Sequence, residues 1–297
     1  MQRYSFNMVW ITGSKGMLGQ ELLQLFEKQS IPCLSSDIEV DITDIRAVEE
    51  FVKDNNISWI INCSAYTAVD MAEDETEKAF SINGSGVENL AVAAEKTGAK
   101  IIHFSTDYVF NGTKHSGYIE DDVVNPVNAY GASKLEGERQ ITSNCSRHFI
   151  FRISWLYGAY GNNFVHTMLN LLSSKDEINV VNDQYGSPTY TGELADFIRL
   201  IVESDSGKYG IYNFSGEGKT TWYYFARAVY SIGRDNGLIG KDTVINPVDS
   251  SSFPTKAKRP AYSYLLKDKL YKTFKYRPAE WKDTLEKYIK KLNKIPV

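Results

Sequence analysis

The chain of 297 residues has little cysteine or histidine and no long apolar run. Its three cysteines, Cys33, Cys63 and Cys145, lie far apart, match no metal or redox spacing and suit a reducing compartment. None of its histidines has the HxH or HxxxH spacing of a metal-binding pair. No apolar stretch approaches the roughly 18 residues that a membrane span needs, and Met1–Asn7 lack the apolar core of a secretory signal. These absences predict a cytoplasmic protein.

The remaining composition is that of a folded protein with an uneven charge. Hydrophobic residues make up 42% and charged residues 24%, which excludes disorder and fibrous repeats. From Phe253 onward there are 13 Lys and Arg against 4 Asp and Glu, although the whole chain carries −4. A basic tail can bind nucleic acid, but the lysines around Trp281–Ile289 follow an amphipathic pattern, which favours a solvated helix face. Lys256, Lys258 and Arg259 lie in a loop, where they are candidates to meet an anionic ligand.

Short β-branched runs alternate with helical patterns through the first half of the chain. Four runs predict strands, at Met8–Thr12, Trp59–Cys63, Lys100–Ser105 and His148–Ile153. Apolar strands separated by helices are typical of an α/β protein whose parallel sheet is covered on both faces. Beyond residue 155, loops rich in Gly, Asn, Ser and Pro interrupt the pattern. We therefore predict one domain over residues 1–155 and a smaller lobe over residues 156–297, with some segments of the lobe returning to the first domain.

A glycine-rich turn joins the first predicted strand to the first predicted helix. Gly13, Gly16 and Gly19 follow that strand at the spacing G-x-x-G-x-x-G. The first glycine permits a tight turn, the second lets the backbone approach a pyrophosphate, and the third packs the helix against the strand. Asp37 lies 24 residues beyond Gly13, near where an acidic residue binds the adenosine ribose. The motif predicts a Rossmann-type, doubly wound parallel sheet with a dinucleotide-binding domain over residues 1–155; the alternative is a turn without a ligand. A P-loop is excluded because no Gly-Lys-Ser/Thr follows.

A second motif places Tyr130 and Lys134 one turn apart on a predicted helix. Residues four apart share a helix face, so the phenol and the ammonium are expected side by side. Because a neighbouring cation favours the phenolate, we expect Lys134 to lower the pKa of Tyr130 toward the working range of a general acid. Thr106 ends a predicted strand, where ligands of open α/β sheets bind. The other pair with this spacing, Tyr271 and Lys275, is expected on a solvated helix.

These motifs resemble those of the extended short-chain dehydrogenase/reductases, and further segments resemble the dTDP-4-dehydrorhamnose reductase family in particular. The cofactor and Tyr/Lys motifs are typical of the whole superfamily, whereas the segments in the second half are the specific ones. The resemblance rests on Gly13–Gly19, Asn62–Asp70, Ser105–Phe110, Tyr130–Lys134, Arg152–Gly158, Gly161–Phe164, Val181–Thr189, Thr220–Tyr223 and Arg259–Pro260. It covers essentially the whole chain, and it implies that residues 156–297 form mainly a smaller C-terminal substrate-binding lobe.

The resemblance implies NAD(P)H-dependent reduction of the C4 ketone of dTDP-4-dehydro-β-L-rhamnose to dTDP-β-L-rhamnose. This is the last step of dTDP-rhamnose biosynthesis for cell-surface polysaccharide. Tyr130 would give a proton to the developing alkoxide, Lys134 would hold the nicotinamide ribose, and Thr106 would hydrogen-bond the carbonyl oxygen. The implied partner is a nucleotide-sugar, without nucleic acid or a membrane, and a homodimer stays open.

The resemblance also implies two sets of binding residues. The cofactor set is Gly13, Gly16, Met17, Leu18, Gly19, Asp37, Asp41, Ile42, Ala65, Tyr66, Thr67, Tyr130 and Lys134. The substrate set is Thr106, Asp107, Trp155, Asn163, Gln184 and Arg259. Two positions depart from the family pattern: Tyr66 stands where relatives often carry His, and Phe104 where some carry Tyr.

The cofactor and a metal are less sharply implied. Asp37 is expected to accept the adenosine 2′-hydroxyl of NADH and to repel a 2′-phosphate. Members of the family often accept both cofactors, so we expect use of NADPH and NADH. Some relatives bind Mg²⁺ through glutamates at a dimer contact, and Glu21 and Glu193 match two of those positions. Lys290-Lys291 stands where a further carboxylate would be needed, so Mg²⁺ is not favoured.

Several alternatives remain at this point. A 4,6-dehydratase of the superfamily would need an acidic residue where Tyr108 follows Asp107. Another nucleotide-sugar reductase or a 4-epimerase differs only in the substrate-half segments. The regulatory subunit of methionine adenosyltransferase resembles this family without being a catalyst. The intact set of Thr106, Tyr130 and Lys134 favours an enzyme.

Overall fold

The computed structural model describes residues 8–292; Met1–Asn7, for which the sequence predicts no secretory signal, and residues 293–297 lie outside the described part. The strands are β1 Met8–Thr12, β2 Cys33–Ser35, β3 Ile57–Asn62, β4 Lys100–Thr106, β5 His148–Ile153, β6 Leu156–Tyr157, β7 Glu177–Val181, β8 Tyr185–Gly186, β9 Thr189–Tyr190, β10 Gly210–Phe214, β11 Thr220–Thr221 and β12 Val244–Val248. The helices are α1 Met17–Lys28, α2 Ile45–Asp54, α3 Thr76–Phe80, α4 Gly86–Thr97, α5 Ala129–Asn144, α6 Phe164–Ser174, α7 Thr191–Glu203, α8 Trp222–Asp235, α9 Asp268–Phe274 and α10 Trp281–Leu292.

Six parallel strands form the central sheet, in the order β10-β5-β4-β3-β1-β2. All four strands predicted from the sequence belong to it, and the second begins two residues earlier than predicted, at Ile57. The edge strand β10 comes from the second half of the chain and pairs with β5. The division of the chain at residue 155 stays a prediction.

Successive apolar side chains of β1 point to opposite faces of the sheet and belong to two separate hydrophobic cores. Val9 and Ile11 face one layer, where α1 and α7 pack, and Trp10 faces the other, where α2 and α4 pack. This alternation follows from the two-residue period of a strand, which sends successive side chains to opposite faces. The doubly wound Rossmann-type sheet predicted from the sequence is thereby confirmed.

A third core lies under the second half of the chain. It joins α6, α8 and α10 around Tyr157, Phe225 and Leu285, each of them fully buried. Three two-stranded pairs, β8 with β11, β7 with β12 and β6 with β9, lie outside the main sheet. Among the described helices, none has the length and apolar character that crossing a membrane requires.

The carboxyl ends of the central strands lie along one edge of the sheet. β1 ends at Thr12, β3 at Asn62, β4 at Thr106 and β5 at Ile153. In open parallel sheets this edge is where ligands bind, because the loops that follow the strands converge there. The predicted site residues follow these strand ends.

Candidate active site

The glycine turn brings three chain segments into close contact at the end of β1. Gly13 has φ +61°, and a Cβ there would lie 2.5 Å from the Ser64 nitrogen. A Cβ on Gly19 would lie 2.5 Å from the Gly13 oxygen, so α1 can pack against the turn only because Gly19 has no side chain, while Gly13 lets the segment after β3 approach. Gly16 begins α1 without a side-chain cap, which leaves the first backbone N–H groups of the helix free for an anion. The turn therefore fits the pyrophosphate of a dinucleotide.

A charged cluster borders this turn where the adenosine end is expected. One carboxylate oxygen of Asp37 accepts the backbone N–H of Lys15 at 3.0 Å. The Lys15 ammonium pairs with Glu39 at 2.6 Å, and Glu39 also accepts the backbone N–H of Asp37. Beside this cluster, Asp41 and Ile42 line the same cleft. The sequence prediction overlooked Lys15, whose cation lies next to the acid expected to repel a 2′-phosphate.

A second cleft of about 510 Å³ continues from the first and contains the predicted catalytic groups. Its lining includes Thr106, Asp107, Tyr130, Lys134 and Trp155, together with the predicted cofactor residues Gly16, Met17, Leu18, Ala65 and Thr67. Gly16, Cys63, Ser64 and Ala65 line both clefts, so the two form one continuous trough. The trough runs from the Asp37 cluster to Tyr130.

The geometry corrects the expected effect of Lys134 on Tyr130. Burial raises the pKa of Tyr130 to about 12, and contact with the Thr106 side chain offsets only part of this increase. Lys134 Nζ lies 3.3 Å from His103 Nε2, and burial lowers the pKa of Lys134 to about 8. The expectation of a lowered Tyr130 pKa was therefore wrong for the ligand-free protein. Burial favours the neutral phenol, and the neighbouring Asp107 carboxylate raises the pKa of Tyr130 further.

Thr106 and Asp107 form a polar pair at the end of β4. The Thr106 hydroxyl donates to Asp107 Oδ1 at 3.1 Å and accepts the Tyr108 backbone N–H at 3.1 Å. The other Asp107 oxygen, Oδ2, has no hydrogen-bond partner within residues 8–292. Asp107 is 2% exposed, and burial raises its pKa to about 7. To donate a hydrogen bond to a ketone oxygen, the Thr106 hydroxyl must first break its hydrogen bond to Asp107.

Trp155 forms one wall of the cleft in a strained backbone conformation. Its φ is +48°, a region that side-chain-bearing residues rarely adopt. Its ring stacks on Trp222, with centroids 3.7 Å apart, and a Cβ on Gly186 would lie 2.7 Å from Trp155 Cε2. Stacking on Trp222 and the close approach of Gly186 thus hold the indole in place along the cleft. Trp222 belongs to the Thr220–Tyr223 segment of the resemblance but was not among the predicted site residues.

Five predicted residues line neither of the two clefts in the described part of the chain: Gly19, Tyr66, Asn163, Gln184 and Arg259. The Tyr66 hydroxyl donates to Glu75 at 3.2 Å. Asn163 caps α6 through the His166 backbone N–H and donates to the Gly158 oxygen at 2.9 Å. Gln184 is half-buried between β7 and β8.

Arg259 is paired with an acidic partner that the sequence prediction missed. Its guanidinium makes two bonds to Asp70, of 2.8 and 3.0 Å, and this contact holds the pKa of Asp70 down at about 2. Asp70 also accepts the Ala257 backbone N–H at 3.0 Å. These contacts hold the loop that carries Arg259 against the segment of Asp70. The charge of the Arg259 guanidinium is neutralised by the Asp70 carboxylate.

Asn83 joins the cofactor loop to the catalytic helix and was also missed. Its amide accepts the Tyr66 backbone N–H at 2.8 Å and donates to the Tyr66 oxygen at 3.0 Å. It donates as well to the Ser133 hydroxyl at 2.9 Å, on α5. A fully buried asparagine that satisfies groups on two segments fixes their separation.

The glutamates considered for Mg²⁺ have other partners. Glu21 accepts the Thr191 hydroxyl at 3.2 Å and faces the Lys291 ammonium at 3.9 Å. Glu193 accepts the Ala279 backbone N–H at 2.7 Å. Within residues 8–292, no group of three or more His, Cys, Asp or Glu side chains is arranged to hold a metal ion.

Comparison with known proteins gives a consistent result. Residues 7–294 match the family described as RmlD substrate binding domain. The dTDP-4-dehydrorhamnose reductase of Aggregatibacter actinomycetemcomitans is 40% identical over 282 residues, which cover 93% of this chain and 96% of that protein. A crystal structure of the dTDP-4-dehydrorhamnose reductase from Clostridium acetobutylicum matches with a TM-score of 0.90 and 38% identity, over 96% of this chain and 99% of that chain. The Bacillus anthracis dTDP-4-dehydrorhamnose reductase in complex with NADP has the same TM-score and identity, over 95% and 98%.

Proposed function

The chain belongs to the family of the RmlD substrate binding domain and of the dTDP-4-dehydrorhamnose reductases, and from this we propose that it is an NAD(P)H-dependent reductase of a nucleotide-linked ketosugar. The proposed reaction converts dTDP-4-dehydro-β-L-rhamnose to dTDP-β-L-rhamnose, the last step of dTDP-rhamnose biosynthesis for cell-surface polysaccharide. The observation that carries the proposal is the continuous trough from the Asp37 cluster to Tyr130, with Thr106 and Lys134 in the same cleft.

The first half of the proposal concerns the cofactor. NADPH or NADH, when bound, supplies the hydride for the ketone. The glycine turn and the free N–H groups at the start of α1 would hold its pyrophosphate, since a Cβ at Gly13 or Gly19 would clash with neighbouring backbone and distort the turn. Asp37 would bind an adenosine ribose hydroxyl, and Lys134 would bind the nicotinamide ribose. Of the cofactor residues proposed from the sequence, all except Gly19 and Tyr66 line the trough.

The second half concerns the proton. As the ketone oxygen gains charge, Tyr130 would transfer its phenolic proton to it, and the Thr106 hydroxyl would donate a hydrogen bond to the same oxygen. A pKa of about 12 keeps Tyr130 protonated at neutral pH, so the proton is present when it is needed. The two donors stabilise charge that develops only in the transition state. Trp155 and Asp107 would contact the sugar.

The two competing functions, a 4-epimerase and a regulatory subunit, differ from a reductase in whether cofactor is consumed and whether the catalytic groups are needed. A 4-epimerase would return the hydride to the sugar, so it would not consume added cofactor. A regulatory subunit would need none of the three groups Thr106, Tyr130 and Lys134. We propose a nucleotide-sugar as the partner and the cytoplasm as the location, which the three free thiols support. Neither nucleic acid nor a membrane is part of the proposal.

The test is oxidation of NADPH and NADH, followed by absorbance, with dTDP-4-keto-6-deoxyhexose generated in the presence and absence of its 3,5-epimerase. We expect oxidation that requires the epimerase, because the proposed substrate is the L-sugar. Cofactor binding without oxidation would contradict the reductase and favour the epimerase or regulatory alternative.

Replacing Tyr130 by phenylalanine tests the assignment of the proton donor. We expect kcat to fall by about 10²- to 10⁴-fold, the usual contribution of a general acid, while NADPH still binds. Tyr271→Phe is the matched control, because Tyr271 has the same spacing to a lysine but lies 42% exposed on α9. Full activity in Tyr130→Phe, or a comparable loss in Tyr271→Phe, would contradict the assignment.

A further inference from the structure

A fully buried histidine contacts the proposed catalytic lysine from inside the sheet. His103 lies in the middle of β4, and its Nε2 is 3.3 Å from Lys134 Nζ. Its other ring nitrogen, Nδ1, is 3.0 Å from the side-chain nitrogen of Asn62, which ends β3. His103, in the middle of β4, thus connects the end of β3 to α5. The roles proposed so far do not use it.

The orientation of the Asn62 amide is determined by a backbone group. Asn62 Oδ1 accepts the Ser64 backbone N–H at 3.0 Å and the Thr12 hydroxyl at 2.8 Å. A backbone N–H can only donate, so the atom that faces it must be the amide oxygen. The amide nitrogen therefore faces His103, and it too can only donate. His103 Nδ1 must accept this hydrogen bond.

An accepting Nδ1 determines where the proton of the imidazole lies. Burial and the neighbouring lysine lower the pKa of His103 well below its usual value, so the ring is neutral. A neutral imidazole has one donor and one acceptor nitrogen. With Nδ1 accepting, Nε2 carries the proton and directs it at Lys134. Nε2–H can donate to the amine form of Lys134, whereas an ammonium would place two donors against each other.

We propose that His103, held in the Nε2–H tautomer by Asn62, is a positioning residue that favours the neutral amine of Lys134 and so sets the upper pH limit of the activity. The inference rests on the proposed function, in which the Lys134 ammonium holds the nicotinamide ribose. His103 itself touches neither substrate nor cofactor in this account. It acts only through Lys134.

The other charged and titratable groups around Lys134 act in the opposite direction. Glu138 on α5 and Cys63 after β3 both raise the pKa of Lys134, and burial outweighs them, giving about 8. The ammonium is therefore present below about pH 8 and is lost as the pH rises through that value. The basic limb of the pH profile should then report on the tautomer of His103.

The tautomer is measurable without substrate or turnover. Ring ¹⁵N chemical shifts of histidine-labelled protein distinguish Nε2–H, Nδ1–H and imidazolium, and the chain has only four histidines. We expect Nε2–H for His103 in the free protein, with the signal identified by its loss in His103→Gln. Asn62→Asp should invert the tautomer, because a carboxylate accepts from Nδ1–H. An Nδ1–H or imidazolium form in the unmodified protein would overturn the inference.

The pH profile of kcat provides the functional half of the test. In Asn62→Asp the basic limb should move up by about one pH unit, since His103 Nε2 would then accept from the ammonium. His103→Gln should move it in the same direction without adding charge, because its amide oxygen can face Lys134.

Thr12→Val is the matched control for these variants. It removes one hydrogen bond to Asn62 but leaves Ser64 to orient the amide, so its basic limb should not move. An unmoved limb in both Asn62→Asp and His103→Gln would refute the inference even if the enzyme is fully active. If no variant and no unmodified protein oxidises cofactor, the proposed function fails, and the tautomer measurement alone decides the role of His103.

Discussion

Replacing Glu138 by glutamine tests how α5, which carries Tyr130 and Lys134, is held against the sheet. The Glu138 and Arg152 side chains are only 3% and 4% exposed. Arg152 Nε and Nη2 donate to the two carboxylate oxygens of Glu138, at 2.9 and 2.7 Å, and the Ser105 hydroxyl donates to one of them. This pair is a buried link between the catalytic helix and strands β4 and β5.

The expected cost of Glu138→Gln follows from what remains around the guanidinium. Removing one partner of a buried ion pair costs about 3–5 kcal/mol, because the other charge is left uncompensated. Arg152 still donates to the Glu120 backbone oxygen at 2.9 Å and lies 5.0 Å from the Phe110 ring centroid. The glutamine oxygen also keeps one acceptor, so we expect the lower end of the range, about 3 kcal/mol.

The free energy of unfolding in urea is the measurement, with the slope against urea checked for constancy. Glu136→Gln is the control on the same helix, because Glu136 is 30% exposed and 3.6 Å from Arg139. An exposed pair of this kind should cost less than about 1 kcal/mol. The double variant Glu138→Gln with Arg152→Met should lose less than the sum of the single losses, since no unpaired charge is left. Equal costs for Glu138→Gln and Glu136→Gln would refute the reasoning.

Two further predictions concern the trough. Lys15→Ala should raise the KM for NADPH about tenfold and leave that for NADH nearly unchanged, because the Lys15 cation can exchange Glu39 for a 2′-phosphate; equal effects in steady-state kinetics would contradict this. Since burial raises the pKa of Asp107 to about 7, its contribution to stability is complete below its usual pKa and is lost as the pH rises through 7. We therefore expect the free energy of unfolding of Asp107→Asn, measured in urea, to rise relative to that of the unmodified protein between about pH 5 and about pH 8. The same difference between the two proteins at both pH values would contradict the assignment.

The features that could be predicted from the sequence are those that depend on residues close together along the chain. The strand Met8–Thr12 and the helix that carries Tyr130 and Lys134 follow from local periodicity, and both are found. The glycine turn was predictable because this backbone approach leaves no room for a side chain: a Cβ at Gly13 would lie 2.5 Å from the Ser64 nitrogen. Only glycine fits at such a position. Each of these signals lies within a single short segment.

The features that were missed depend on contacts between distant segments. Arg259 and Asp70 are 189 residues apart, so nothing in either segment indicates that they neutralise each other. The direction of the Tyr130 pKa was wrong for the same reason, because burial is a property of the assembled cleft. The helix motif shows only the neighbouring lysine. Asn163, expected at the substrate, carries the common signature of a helix cap.

The electrostatics of α5 link these contacts to the proposed chemistry. Burial favours the neutral form of both groups, raising the pKa of Tyr130 to about 12 and lowering that of Lys134 to about 8. The lowered Tyr130 pKa expected from the sequence is therefore not found in the free protein. With a pKa of about 8, Lys134 is mostly charged at neutral pH, and its ammonium would stabilise the negative charge that develops on a substrate oxygen beside Thr106 as Tyr130 gives up its proton. Stabilisation that appears only as this charge develops lowers the barrier without tightening ground-state binding, which is what a reductase with this site requires.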